Sequence, residues 1–455
     1  MTSDFEIKIE RIDGSFDDPL DQASFARLQI LAHDRCLTRC VDNNTGIRDY
    51  VKIPLHRLAE GIARNWWTLL YEPWRPEEIT KRHIARHHLD TFIPGYIFPF
   101  LGLWSAGKEA LSLQTGAALH FGTEPSRELT ESEIELARRL SGPNARPLDF
   151  RTLSRVKLID ETRERMTASR REIESQFAEL VTTIVEWSNS IDTTGCDLHE
   201  RWDRTLQSIN DPLERNYCIA AGRMGLDPYD PDSPDISVFS DKVPEDSFDD
   251  LCEAARFDEL PEAVDWLVDT QKFLENAPTI SLSEFGRRPR FNPAVPAWQT
   301  GYQAATELRS RLSLDDNPQR ATQMLIGDTS AASIDPDAPA MIEGLLAKDE
   351  CGLRSMVRAR SSSQWRFREC RAVYIGWGAD PDSYPLLTTA TTYQQQASRA
   401  FAAELICPAD YLRHIAHGRG LTGDQISDIA EILDCQTTVV EHQARNHRIP
   451  VRGMY

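Results

Sequence analysis

The apolar residues of this chain change period along its length, and that change argues for a mixed fold rather than an all-α or an all-β one. Phe5, Ile7 and Ile9 alternate with polar residues across 5–12, the two-residue period of a strand with one buried face. Residues 27–33 and 48–53 read as further strands, with Asn43, Asn44 and Gly46 as turn material between them. Pro54 then opens a segment in which Leu55, Leu58, Ala59, Ile62, Trp66, Leu69 and Leu70 recur at three- and four-residue steps. That spacing predicts a helix with one wide apolar face and Trp66-Trp67 in the core. At roughly 100–200 residues per domain, 455 residues allow about two to four domains.

No apolar run reaches the about 20 residues that a bilayer requires. The longest, Phe92 to Trp104, is broken by Pro94, Gly95, Pro99 and Gly102. Met1 to Arg11 is charged and lacks the apolar core of a secretory signal, so the expectation is a cytoplasmic protein without a membrane partner. Nine scattered cysteines read as reduced thiols packed as small hydrophobes. Cys36 and Cys40 form the one close pair, and no second cluster completes a structural zinc site. Acidic residues outnumber basic ones 71 to 51, a net charge of −20. Between Asp227 and Glu275, sixteen acidic residues face only Lys242, Arg256 and Lys272. This balance argues against non-specific nucleic-acid binding by the whole chain and leaves room for a local basic patch. The acidic stretch reads either as a solvated helical face or as a docking surface for a basic protein.

The chain reads as α+β in three blocks. Residues 1–145 form an N-terminal α/β domain. In it, 97–104 and 109–114 are strands around the Ser105–Lys108 turn, Thr130 and Glu133 form a capping box, and Gly142-Pro143-Asn144 marks the end. Residues 146–296 form a mostly helical middle. There 152–188 carries helix-period apolar positions without glycine or proline, and Asp211-Pro212-Leu213-Glu214 starts a helix that ends near Gly225. Pro261 opens another helix, and 285–296 is a proline-rich connector. Residues 297–455 form the C-terminal block: a helix from Trp298 to Leu312, a basic segment Arg354–Arg371, a helix from Gln394 to Leu405, and short helices at 424–433 and 437–446.

One string in the last block carries a family likeness. Gln394-Gln395-Gln396-Ala397-Ser398-Arg399-Ala400-Phe401-Ala402-Ala403-Glu404-Leu405-Ile406-Cys407-Pro408 resembles the Glu-x-x-Ala-Asn-x-Phe-Ala-x-x-Leu-Leu-x-Pro helix of the ImmA/IrrE-type metallopeptidase-like family. Trp365-Arg366-Phe367 stands where that family has an Arg-Phe pair ahead of its zinc helix, and the two closing helices are similar as well. The resemblance covers about 350–450. It implies a zincin-like C-terminal domain and a bacterial regulatory, stress-response or phage-defence setting. Active members place His-Glu-x-x-His on a helix, with the glutamate as general base and a later carboxylate as third zinc ligand. Counted from Arg366-Phe367, those positions fall on Arg371, Ala372 and Ile375, and the later carboxylate on Gln394. None can serve, and no histidine occurs between His199 and His414. The resemblance therefore implies a degenerate domain without catalytic residues or a metal cofactor, in a regulatory or scaffold protein that binds a protein partner.

Two alternatives stand beside this. A peptidase with an atypical metal set would draw on His83 and His87, or on His199-Glu200-Arg201-Trp202-Asp203; His414 and His417 read as surface or capping residues. A nucleic-acid or anion binder would use Arg354, Arg358, Arg360, Arg366 and Arg368, interleaved with Trp365 and Phe367, since guanidiniums grip phosphates and aromatic rings stack on bases. The blander reading pairs these arginines with the acidic 227–275 stretch or with solvent. Ile429–Val440 also resembles a helix-turn-helix, with Glu441, Gln443, Arg445 and Asn446 on the would-be recognition helix.

Overall fold

The computed structural model describes residues 4–42, 46–75, 86–89, 96, 98–99, 101–115, 156–159, 164–189, 191, 197–289, 291–314, 317–327, 333–334 and 338–452. It is mixed α+β and divides into two compact units, Met1–Pro234 and Asp235–Tyr455. The helical middle block of the sequence is thus shared between the units. The Thr130–Leu140 helix and the Gly142-Pro143-Asn144 break lie outside the described residues. Among the described residues, no helix is long and apolar enough to cross a membrane.

In the first unit, β1 (Phe5–Arg11) and β2 (Phe25–Ala32) pair antiparallel from Phe5↔Ala32 to Arg11↔Ala26. The two-residue period buries Ala26, Leu28, Ile30 and Ala32 on one face. β3 (Val51–Pro54) closes the other side of β2. The single helix expected after Pro54 is two, α1 (His56–Arg64) and α2 (Trp66–Tyr71). They are divided at Asn65, whose side-chain amide donates back to the Gly61 carbonyl at 3.1 Å. A second sheet holds β4 (Leu101–Ser105), β5 (Ala110–Thr115) and β6 (Glu164–Ser169).

β6 corrects the reading of 152–188 as helical. Within the described part of that span, Val156–Leu158 pairs with Cys40–Asp42 and β6 pairs with β5, so only α3 (Arg170–Ser188) is helix. Met166 and Ala168 alternate as a strand should, and partner strands outweigh local helix propensity. The switch to helix falls on Arg170. Its buried guanidinium donates to the Lys108 carbonyl at 3.1 Å and to Ser105 Oγ at 2.8 Å, and lies 4.3 Å above the Tyr71 ring. α4 (Leu198–Asn210) and α5 (Pro212–Arg223) follow. Asp211 caps α5 as expected, accepting from the Leu213 and Glu214 amides at 2.9 and 3.2 Å. The helix ends at Gly225, whose φ of +71° lets the Leu226 amide bond back to Ala221 at 2.9 Å.

The first half of the second unit includes α6 (Glu245–Ala254), α7 (Leu260–Thr270) and α8 (Ala297–Arg311). β7 (Ile342–Asp349) and β8 (Gly352–Arg358) form a hairpin, and α10 (Ser362–Gly378) follows α9 (Pro318–Ile326) and the hairpin in sequence. β9 (Leu386–Thr388) pairs with β7, leaving β7 interior and β9 at one edge of the sheet. α10 packs against β7 and β8, and α11 (Tyr393–Ile406) packs against α10. α12 (Ala409–Ala416), α13 (Gly423–Ile432) and α14 (Thr437–Asn446) close the chain around a small apolar cluster that includes Leu412, Ile426, Ile429, Val440 and Ala444.

Part of the acidic stretch is structural. Asp246 and Asp250 on α6 accept from the backbone amides of Tyr384 and Leu386, the latter at 2.8 Å, and so cover the free edge beside β9. These two carboxylates are neither a solvated face nor a docking surface.

α8 lies so close to α11 that a Cβ at Gly301 would stand 2.2 Å from the Ala397 carbonyl oxygen. Gly301→Ala is therefore expected to destabilise the second unit by roughly 1–3 kcal/mol in chemical denaturation, the usual cost of overpacking. Gly423→Ala, where the new methyl meets nothing within 4 Å, serves as the neutral control.

Candidate functional site

α10 starts at Ser361, whose hydroxyl accepts from the Gln364 amide at 3.2 Å. Its period then turns two faces inward. Glu369 and Gly376 look toward β8, where they meet Ser355 and Leu353. Arg368 and Arg371 look toward β7 and α11. Arg371 is only 2% exposed, and each of its three guanidinium nitrogens is engaged. Nε donates to Ser398 Oγ at 3.2 Å, Nη1 to Glu343, and Nη2 to the Thr388 carbonyl at 3.1 Å and to Gln395 Oε1 at 2.9 Å. Gln395 is held in turn by its Nε2, which donates to the Leu386 carbonyl at 2.9 Å.

Glu343, on β7, serves a second guanidinium, accepting from Arg368 Nη2 at 3.0 Å. Arg399, one turn along α11 from Gln395, donates to the carbonyls of Ala390 and Thr388 at 2.9 and 3.1 Å. Burial alone would raise the Glu343 carboxyl, but Arg371, Arg368 and Arg399 outweigh it and hold the group below its ordinary range. Arg371 is pushed down to about 10 by burial and by repulsion from Arg399 and Arg368, with Glu343 opposing, so it stays a cation at neutral pH. A fixed cation of this kind repels a metal ion.

The other positions counted from the family motif offer no ligand set. Ala372 and Ile375 are apolar and buried, and Gln394 is half-buried with no hydrogen bond to the network. Its neighbour Gln395 makes the contact instead. Sequence reasoning missed Glu343, Gln395, Ser398 and Arg399. One signal was available: an arginine inside the otherwise apolar run Cys370–Ile375 must be buried, and a buried arginine needs a carboxylate.

The arginines expected to form a patch do not converge. Arg354 pairs with Asp349 across its own hairpin. Arg358 donates to the Pro339 carbonyl at 3.3 Å, and Arg366 pairs with Asp434 at 3.1 Å. Arg360 is exposed on the loop before α10, and Trp365 is half-buried. Apart from the exposed Arg360, their partners lie within the second unit and outside 227–275, which corrects the expected pairing with that stretch. Only Arg368 joins the buried network.

The alternative metal set is dispersed as well. His87 is buried between the Leu103 carbonyl at 2.6 Å and Glu72 at 3.2 Å, and His199 bonds to Ser188 Oγ at 2.9 Å. His83 lies outside the described residues. His414 and His417 are exposed, and His417 ends α12 with a left-handed φ of 44°. Among the described residues, one group brings three possible ligands together: Asp18, Asp21 and His56. There Asp18 already caps the short helix Pro19–Ala23, and His56 Nδ1 lies 2.9 Å from Asp21. On the would-be recognition helix, Gln443 is buried and donates to Glu404 and the Cys407 carbonyl at 2.7 and 2.9 Å, and Asn446 donates to Tyr302 at 2.8 Å. Two of the four side chains named for base contact are thus committed to the core.

Above the network lies a pocket of about 510 Å³, bounded by α8, α10, α11 and α14. Arg368, Arg399 and Glu343 border it on one side, and Trp298, Tyr302 and Phe367 supply aromatic surface. Comparison with protein-family models, curated proteins and solved structures gives no match.

Two carboxylates give opposite pH signatures. Glu369 is 3% exposed, accepts from Ser355 through one oxygen and leaves the other unpartnered, and burial pushes it up to about 7. A carboxyl raised in the fold favours folding at low pH, and that advantage is lost as pH rises from its ordinary 4.5 through about 7. Glu369→Gln is expected to stabilise the protein at pH 8 by up to about 3 kcal/mol and to change little at pH 4, measured by urea denaturation. Glu343, held low, stabilises the fold above the unfolded carboxylate range and loses that contribution as pH falls. Glu343→Gln should cost about 3–5 kcal/mol at pH 7, with a smaller penalty in acid.

Proposed function

We propose that the second unit is a non-catalytic, ImmA/IrrE-like module in a regulatory or scaffold protein that binds a protein partner. The observation that carries this reading is Arg371. The helix position that resembles the first zinc-binding histidine holds a buried cation with all of its nitrogens engaged. Ala372 stands at the general-base position and has no proton acceptor. Two hydrolytic requirements, an electrophilic metal and a base for its water, therefore lack side chains. In relatives with an intact motif the cleft grips a polypeptide for cleavage. A cleft without this machinery retains the binding half of that task. A bacterial stress-response or phage-defence setting follows from the same resemblance.

Elemental mass spectrometry of the purified, tag-free protein, together with a peptide-hydrolysis assay in added zinc and manganese, tests this. The expected result is clearly substoichiometric metal and no metal-dependent cleavage. A tightly held equivalent that survives His56→Ala, or cleavage abolished by chelator, overturns the reading.

A further inference from the structure

The pocket above Arg371 is charged in an unbalanced way. Arg368, Arg371 and Arg399 surround one carboxylate, Glu343, and among the described residues Glu343 is the one acid on the pocket lining. Two described acids of this unit are engaged elsewhere: Asp434 pairs with Arg366, and Glu404 accepts from Gln443 and the Ala409 amide. Glu369 lies on the opposite face of α10, against Ser355. Arg371 and Arg399 are both pushed down by burial, and each guanidinium in the cluster adds repulsion to Arg371. A missing negative charge relieves that repulsion.

Donors remain to receive it. Of the five N–H groups of a guanidinium, Arg368 uses three, two to Glu343 and one to the Arg358 carbonyl. Arg399 uses one on each terminal nitrogen. Both side chains border the pocket, and among the described residues Glu343 is the carboxylate paired with Arg368. Arg371 is too deeply enclosed to touch a ligand and acts through the field it adds. Away from the arginines, the pocket is faced by Phe367, Tyr302 and Trp298, with Trp298 and Tyr302 edge to face at 5.6 Å and the indole 47% exposed. A volume of about 510 Å³ lies within the range of small-molecule sites, about 300–1,000 Å³.

We propose that this pocket binds a small organic oxyanion of mononucleotide size, its phosphate or carboxylate head on Arg368 and Arg399 and its flat ring against the aromatic wall. The proposal rests on the non-catalytic reading, because an anion in place of substrate gives the module a ligand to respond to. Guanidinium forks suit both head groups, and aromatic faces accept any planar ring.

Isothermal titration calorimetry on the full chain tests it with four probes: adenosine 5′-monophosphate, benzoate, inorganic phosphate and adenosine. At least one of the two ringed anions should bind about tenfold or more tightly than adenosine, and more tightly than inorganic phosphate. Affinity should fall as salt is raised. Arg399→Gln should weaken the anion by about tenfold or more and leave adenosine unchanged. Ala403→Trp, which fills the pocket from α11 without touching the ionic network, should abolish all binding, and it decides the matter should Arg399→Gln fail to fold. Equal binding of adenosine and the anions, no heat from any anion with the folded wild type, or unchanged affinity in Ala403→Trp overturns the proposal. The two readings fail separately. Metal-dependent cleavage removes the non-catalytic reading whatever the titrations show, whereas a metal-free, inert protein that binds no anion removes only the pocket proposal.

Discussion

Glu343 and Arg371 meet between β7 and α10, the guanidinium buried and the carboxylate at the pocket's edge, and the elements around them keep that pair matched. An isolated buried charge is costly, and a buried pair holds only if every remaining donor finds an acceptor. That requirement fixes Ser398 and Gln395 on α11, the Thr388 carbonyl at the end of β9, and the approach of α10 to β7. One guanidinium thus ties two strands and a helix to α10. The close approach of α8 at Gly301 then supports α11 from behind. The pocket above is lined by the polar Arg368, Arg399 and Glu343 on one side and by the aromatic Trp298, Tyr302 and Phe367 on another.

Elements with a complete local signal were legible in the sequence. Phe5–Arg11 alternates without interruption, and Asp211-Pro212 at one end and Gly225 at the other mark α5 to within a residue or two. The three closing stretches, α11, α13 and α14, follow the same logic of cap, period and turn. The 164–169 strand was not legible in this way. Its residues favour helix locally, and only pairing with Ala110–Thr115, some fifty residues earlier, makes them a strand. Asn65 likewise divides a helix whose apolar period runs straight through it.

The site shows the same limit. Arg371, Ala372, Ile375 and Gln394 were placed by counting along a motif, and counting works within a helix. It does not find Glu343, which reaches Arg371 across 28 positions from a strand. Nor does it separate Gln394 from Gln395, because a one-residue step on a helix turns the side chain by about 100°. The arginines that looked like a patch in sequence lie on a strand, a loop and a helix, and Arg354, Arg358 and Arg366 each have a different partner. Proximity in sequence implied a shared surface, and the change of element between Arg358 and Ser362 removed it.

The carboxylates of α6 have a consequence of another sort. A free strand edge is a template on which a second chain can add, and the edge beside β9 is kept closed by Asp246 and Asp250 rather than by another strand. There two side chains accept from two backbone amides, at Tyr384 and Leu386. A stretch whose composition reads as mere surface charge thus supplies the acceptors for two backbone donors that a neighbouring strand would otherwise seek.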